Sequence, residues 1–74
     1  MFREIKNFTC EQMNRLLYLC GFEHVAVKYK NDNAWVVIND NKQLHATSEH
    51  ILITLLTNLT IEEVEENIET ILTV

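Results

Sequence analysis

The chain of 74 residues has one glycine, no proline and no apolar run near the ~20 residues that a membrane-spanning helix needs. A single glycine cannot build a glycine-rich phosphate-binding loop, so that class of nucleotide-binding enzyme is excluded. The first residues carry charge, and no apolar signal core follows them. We therefore expect neither secretion nor membrane insertion, and a cytoplasmic protein instead.

Lysine and arginine are missing from residues 43–74, which carry six glutamates and hence a formal charge of −6. Residues 1–42 are nearly balanced, with six basic side chains against five acidic ones. Nucleic-acid binding needs a basic surface, so this distribution argues against direct contact with DNA or RNA. It favours a protein partner with a basic surface.

The two cysteines, Cys10 and Cys20, fall in one predicted helix, about 15 Å apart along its axis and too far apart for a disulfide. We predict that both are buried thiols. Cys20 and the three histidines are the nearest approach to a zinc ligand set. The predicted sheet, however, separates His24 from His45 by about 10 Å, so neither a metal nor another cofactor is expected.

Two helix starts carry complete sequence signals. Thr9 and Gln12 form a predicted capping box before the first helix, which ends at Gly21 in a left-handed conformation. Thr60 and Glu63 form a second box before the last helix. Between these helices the apolar period changes from that of a helix to that of strands.

Alternating apolar and polar residues predict three strands, over residues 23–30, 34–39 and 43–47. A three-residue loop at 31–33 and a two-residue turn at 40–41 join them, because Asn and Asp tolerate turn conformations. The strands are therefore predicted to form an antiparallel meander.

The loop lengths predict the register of this sheet, with Tyr29 opposite Trp35. One face is then wholly apolar and is the predicted core face. It consists of Val25, Val27, Tyr29, Trp35, Val37, Leu44 and Ala46. The outer face keeps Val36 and Ile38 among polar side chains, where they can contact a partner or a second copy.

A second helix, over about residues 48–58, is capped by Thr47 or Ser48. Its apolar side chains span an arc of nearly 200°, which is wider than one core face needs. Ile53 is left over when the core side of this helix is filled. We expect it to contact a partner or to support self-association.

The last helix has a narrow apolar stripe and an acidic side without interleaved basic residues. At 100° per residue its exposed glutamates share one continuous arc beside the buried stripe. They are Glu62, Glu65, Glu66 and Glu69. Two interpretations stay open: a solvated helix surface, or a docking surface for a basic partner.

These elements predict one compact α+β domain over residues 1–74, with an N-terminal helix, a three-stranded antiparallel meander and two C-terminal helices packed on one sheet face. No catalytic grouping is found, so we do not expect an enzyme. We expect a small acidic protein-binding module, comparable in kind with the inhibitors and modulators that phages and mobile elements encode. The alternative is a structural subunit or a small homodimer.

Overall fold

The computed structural model describes the backbone of residues 2–32 and 34–73, and the side chains of residues 4–32 and 34–73. The elements are a short 3-10 helix (Phe2–Asn7), α1 (Cys10–Leu19), β1 (Val25–Asn31), β2 (Ala34–Asn39), β3 (Lys42–Thr47), α2 (Ser48–Leu56) and α3 (Ile61–Leu72). The strands form one antiparallel sheet in the order β1-β2-β3. The predicted α+β class and the meander are confirmed, whereas the 3-10 helix was not predicted.

Helix α1 begins and ends as its sequence predicts. The Thr9 hydroxyl accepts a hydrogen bond from the Gln12 N–H at 3.1 Å, and the Gln12 side chain accepts one from the Thr9 N–H at 2.9 Å. At the other end Gly21 has a φ of 87°, and the Phe22 N–H donates to the Leu17 carbonyl at 2.9 Å. This is a Schellman ending, which only a residue tolerant of positive φ allows at low cost.

Helix α2 takes Thr47 as its N-cap, because the Thr47 hydroxyl accepts a hydrogen bond from the His50 N–H at 3.2 Å. Ser48, the other candidate, is buried in the core, where its hydroxyl accepts a hydrogen bond from the Trp35 indole N–H at 3.0 Å. The helix ends at Leu56, two residues earlier than predicted.

The first loop is shorter than predicted. Strand β1 extends to Asn31, which pairs with Ala34, so the three-residue loop at 31–33 is wrong. Asp32 has a φ of 56° and begins the turn, in the left-handed region that Asp tolerates better than most residues. Asn33 lies outside the described residues.

A β-bulge between Val27 and Tyr29 places one extra residue in β1 and so compensates for the shorter loop. Val27 therefore still lies opposite Val37, as expected. Beyond the bulge the faces are exchanged, so that Tyr29 lies opposite Val36 and not opposite Trp35. The prediction that Tyr29 belongs to the core face is wrong, and its side chain is half exposed.

Trp35 is fully buried, as predicted, but Lys30 has the place that was expected for an aromatic ring. The Lys30 ammonium lies 5.1 Å from the centroid of the indole ring and also donates to the Lys6 carbonyl. A cation at this distance interacts favourably with the face of the ring. Lys6 forms an ion pair of 3.2 Å with Glu49 and so links the 3-10 helix to α2.

One apolar cluster is shared by the sheet and all the helices. Helix α1 lies along β1, α2 lies against β3, and α3 packs on α1, α2 and the 3-10 helix. The buried members of the cluster are Ile5, Phe8, Met13, Leu16, Leu17, Cys20, Val27, Trp35, Val37, Ile51, Leu55, Val64, Ile68 and Ile71.

The outer edge of β1 is closed by a side chain. The Asn14 amide donates to the Val27 carbonyl at 3.1 Å and accepts from the Val27 N–H at 2.7 Å. Asn14 thus satisfies both edge groups of Val27 as a neighbouring strand would. We call this pair of hydrogen bonds the Asn14 clamp.

Candidate functional site

The four glutamates predicted to share one side of the last helix do so. Together with Thr70 and Thr73 they line one shallow surface of α3, which we call the acidic face: Glu62, Glu65, Glu66 and Glu69. Glu65 is half-buried and the other three are exposed. Within the described residues, none of the four carboxylates takes part in an ion pair. The acidic face is therefore an uncompensated patch of negative charge.

Glu63 has a structural role in positioning this face. Its carboxylate accepts a hydrogen bond from the Thr60 N–H at 2.9 Å, and its own N–H donates to the Thr60 hydroxyl at 3.1 Å. This is the predicted capping box, and it fixes the first turn of α3. The first glutamate of the acidic face therefore lies in a helical turn whose N-cap is hydrogen-bonded.

Val36 does not form the exposed apolar contact that the sequence predicted on the outer sheet face. It lies on that face, yet only 2% of its surface is exposed. Its cross-strand neighbours are Tyr29 and His45, because the shorter loop shifts Tyr29 from its predicted place opposite Trp35 to a place opposite Val36. Ile38, the other predicted contact, is half-buried and remains accessible.

Ile53 is exposed on α2, as its place outside the core arc predicts. It is 60% exposed, while Leu52 and Leu56 beside it are half-buried. At 100° per residue these three side chains form one continuous stripe along the helix. Whether this stripe contacts a partner stays a prediction.

An apolar groove, which the sequence did not predict, opens between α1, the core face of the sheet and α2. Its volume is about 260 Å³. The lining residues are Leu17, Phe22, Val25, Val37, Asn39, Leu44, His45, Ala46, His50, Ile51 and Thr54. At its mouth Leu44 is 51% exposed, so the prediction that Leu44 is a core residue is wrong in burial, although its face of the sheet is right.

The groove exists because α2 follows β3 without a loop. Thr47 is both the last residue of β3 and the N-cap of α2. The helix can therefore cover only the end of the core face nearest to this junction. The only signal for the groove in the sequence was the absence of any linker between strand and helix.

Cys20 lies in a setting that keeps its thiol protonated. Burial raises the pKa of the Cys20 thiol, and the Glu63 carboxylate raises it further, although a hydrogen bond from the Asn67 amide at 3.3 Å opposes the shift. A neutral thiol is a poor nucleophile and a poor metal ligand. The described residues contain no group of three or more His, Cys, Asp or Glu side chains that could hold a metal ion.

The fold and these surfaces define a class of protein, a small α+β domain with an acidic helix surface and an apolar groove. Comparison of the chain with protein-family models, with curated proteins and with solved structures gives no match. Among the described residues no helix has the length and apolar character to cross a bilayer. The candidate functions must therefore be argued from the surfaces themselves.

Proposed function

We propose that the protein is a non-enzymatic binding module whose acidic face docks on a basic surface of a partner protein and thereby inhibits or modulates that partner. The observation that supports this is four carboxylates on one surface, in a half of the chain without Lys or Arg. A partner surface that otherwise holds nucleic acid has matching chemistry, because Arg and Lys bind carboxylates and phosphates alike. No cofactor and no direct contact with nucleic acid or membrane belong to this proposal.

The electrostatics of the acidic face suit recruitment of a basic partner. Charges on a surface of this kind act over about 8 Å at physiological salt, so several of them must be presented together to steer an encounter. Such charges raise the association rate and fix orientation more than they raise affinity. We place this activity in the cytoplasm, and in kind it is closest to the small acidic proteins by which phages and mobile elements occupy host proteins.

The experiment begins with a pull-down from the native cell over a salt series, followed by association kinetics with the retained protein in purified form. Glu66→Lys/Glu69→Lys is compared with Glu11→Lys/Glu23→Lys, whose glutamates are exposed outside the acidic face. Each pair moves the net charge from −5 to −1, because every reversal adds two charges.

We expect the acidic-face pair to slow association by about tenfold and to flatten its salt dependence. The control pair should change the rate much less. Equal slowing in both variants would mean that net charge alone steers binding, and an unchanged rate in both would make the acidic face a solvated surface.

A structural subunit or homodimer is the second candidate, and the exposure of Ile53 favours it. The partly exposed stripe of Leu52, Ile53 and Leu56 is apolar surface that a contact could bury. Light scattering over a concentration series with Ile53→Asp tests it. A mass that falls towards that of the monomer in this variant would assign the association to α2.

A further inference from the structure

Strand β3 is an edge strand, and the Asn14 clamp determines which of its backbone groups face outward. Both backbone groups of Val27 bond to Asn14, so Val27 and Val37 form a non-hydrogen-bonded pair. Val37 therefore directs its N–H and C=O towards Leu44 on β3. Because these directions alternate along a strand, the two residues that flank Leu44 direct their backbone groups away from β2.

Those two residues, Gln43 and His45, present backbone donors and acceptors at the open edge of the sheet that pair with no group among the described residues. Edges are usually protected by charges, proline, bulges or a covering element. Strand β3 pairs with β2 without a register shift, contains no proline, and carries one formal charge, on Lys42. The opposite edge of the sheet, by contrast, is covered at Val27 by the Asn14 clamp.

Leu44 gives this edge an apolar contact as well. Its side chain lies on the same sheet face as Val37, at the mouth of the groove, and half of its surface is exposed. Among the described residues, no helix side chain covers this exposed half of Leu44. A strand added at the edge would place its own side chains directly beside Leu44.

We propose that β3 pairs in antiparallel orientation with β3 of a second copy, about a two-fold axis that passes between the two Leu44 residues. In this register Gln43 of each copy exchanges hydrogen bonds with His45 of the other. Lys42 lies opposite Ala46, so no like charges face each other. The two three-stranded sheets then form one continuous sheet, and the two grooves meet at the axis.

A second copy suits this edge better than an unrelated strand for two reasons. The two-fold axis places the one large exposed apolar side chain of β3 against its own equivalent, and every other contact occurs twice. The strongly acidic half of the chain does not oppose the pairing, because residues 42–48 contain no acidic side chain and α3 packs on the other helices.

This inference goes beyond the proposed function and can fail separately from it. The acidic face belongs to α3 and takes no part in the β3 contact. Glu66→Lys/Glu69→Lys should therefore leave the dimer intact, while the edge variants leave the four glutamates of the acidic face unchanged. A dimer would carry two acidic faces, which raises the apparent affinity for a partner with repeated basic sites.

The first test is analytical ultracentrifugation of the full chain over a concentration series, with His45→Pro and the matched control His45→Thr. Proline removes an N–H that the fold does not use, and edge strands tolerate it there, whereas threonine keeps that N–H. The wild type should approach twice its 8.7 kDa mass. The control should behave like the wild type, and His45→Pro should dissociate at least about tenfold more readily.

Even a very weak dimer, with a dissociation constant of about 1 mM, would be detected at about millimolar concentration. A protein that stays strictly monomeric at that concentration would overturn the proposal. So would a dimer that His45→Pro leaves unchanged, or that Ile53→Asp abolishes instead. Should His45→Pro fail to fold by circular dichroism, Leu44→Asp takes its place, because Leu44 is half exposed and contributes little to the core.

Cross-linking tests the register. In a non-hydrogen-bonded antiparallel pair the Cα atoms lie about 4.5 Å apart, within the range of a disulfide. Leu44→Cys should therefore form a disulfide-linked dimer through the introduced thiols on mild oxidation, and peptide mass spectrometry separates this product from links through the native cysteines. Gln43→Cys, displaced from the axis, should link poorly. Efficient linking of the Gln43→Cys variant and none of the Leu44→Cys variant would overturn the proposed register.

Discussion

The buried pair of Trp35 and Ser48 gives the sharpest test of the fold. The indole N–H donates to the Ser48 hydroxyl at 3.0 Å, and both side chains are buried. Three single changes separate the contributions: Trp35→Ala removes packing and the donor, Trp35→Phe removes mainly the donor, and Ser48→Ala removes the acceptor. The double variant of Trp35→Phe and Ser48→Ala completes a cycle.

The expected magnitudes follow from burial. At about 0.05–0.15 kcal/mol per residue, a domain of 74 residues has a free energy of unfolding of about 4–11 kcal/mol. Trp35→Ala should cost about 3–5 kcal/mol, a large part of that total. Ser48→Ala leaves the indole N–H without its acceptor and should cost about 1–3 kcal/mol. In the Trp35→Phe background the same change should cost about 1 kcal/mol less.

Urea unfolding followed by circular dichroism measures these free energies, because fluorescence is lost with the tryptophan. The wild-type emission should be blue-shifted and poorly quenched by acrylamide. Red-shifted, freely quenched emission would refute the burial of Trp35. A Ser48→Ala cost that is equal in both backgrounds would refute the energetic role of the hydrogen bond.

Four further predictions concern zinc binding, the two cysteines and the sheet edge. Native mass spectrometry with added zinc should show no tight one-to-one adduct, and an adduct lost in Cys20→Ser would contradict this. Cys10 is only half-buried, so the prediction of a buried thiol is wrong for Cys10 and is confirmed for Cys20, and Cys10 should react with a thiol reagent before Cys20. Because the pKa of Cys20 is raised, the stability from its neutral thiol is complete below the ordinary value of 9.0 and is lost as pH rises through the higher folded value. Asn14→Ala should lower the free energy of unfolding by about 1–2 kcal/mol through loss of both bonds to Val27, as urea unfolding would show.

The ends of the helices could be predicted because a few neighbouring residues determine them. A capping box needs only Thr9 and Gln12, or Thr60 and Glu63, and a helix ending needs only Gly21. These interactions form within one turn of helix. They do not depend on how the remainder of the chain packs.

The sheet register could be predicted only in part, because it depends on contacts between residues that are far apart in the sequence. The turn between β2 and β3 has two residues, and Leu44 lies opposite Val37 as a two-residue turn requires. On the other side of β2, a shorter loop and a bulge compensate each other, and no local pattern near Tyr29 announces the bulge. The Asn14 clamp joins residues that are 13 positions apart, which helical periodicity cannot detect.

Of the two candidate surfaces, the acidic face could be predicted from local sequence and the groove could not. The period of one helix was enough to bring the glutamates of the acidic face together. The groove depends instead on where α2 starts relative to the sheet, and this position is a tertiary property. Alternation assigned Leu44 to the correct face, but only packing determines whether a helix reaches it.

The arrangement of charge on α3 is itself an argument that the acidic face has a use. Glu62 and Glu66 are four residues apart, as a like-charged pair that costs about 0.2–0.5 kcal/mol. Glu69 lies in the last turn, where the helix dipole also disfavours a negative charge. Solubility alone would permit lysine here, so Glu66→Lys should raise the free energy of unfolding by about 0.4–1 kcal/mol while it slows partner association. Urea unfolding measures the first effect, and a Glu66→Lys chain less stable than the wild type would show that the glutamates do not strain the free helix.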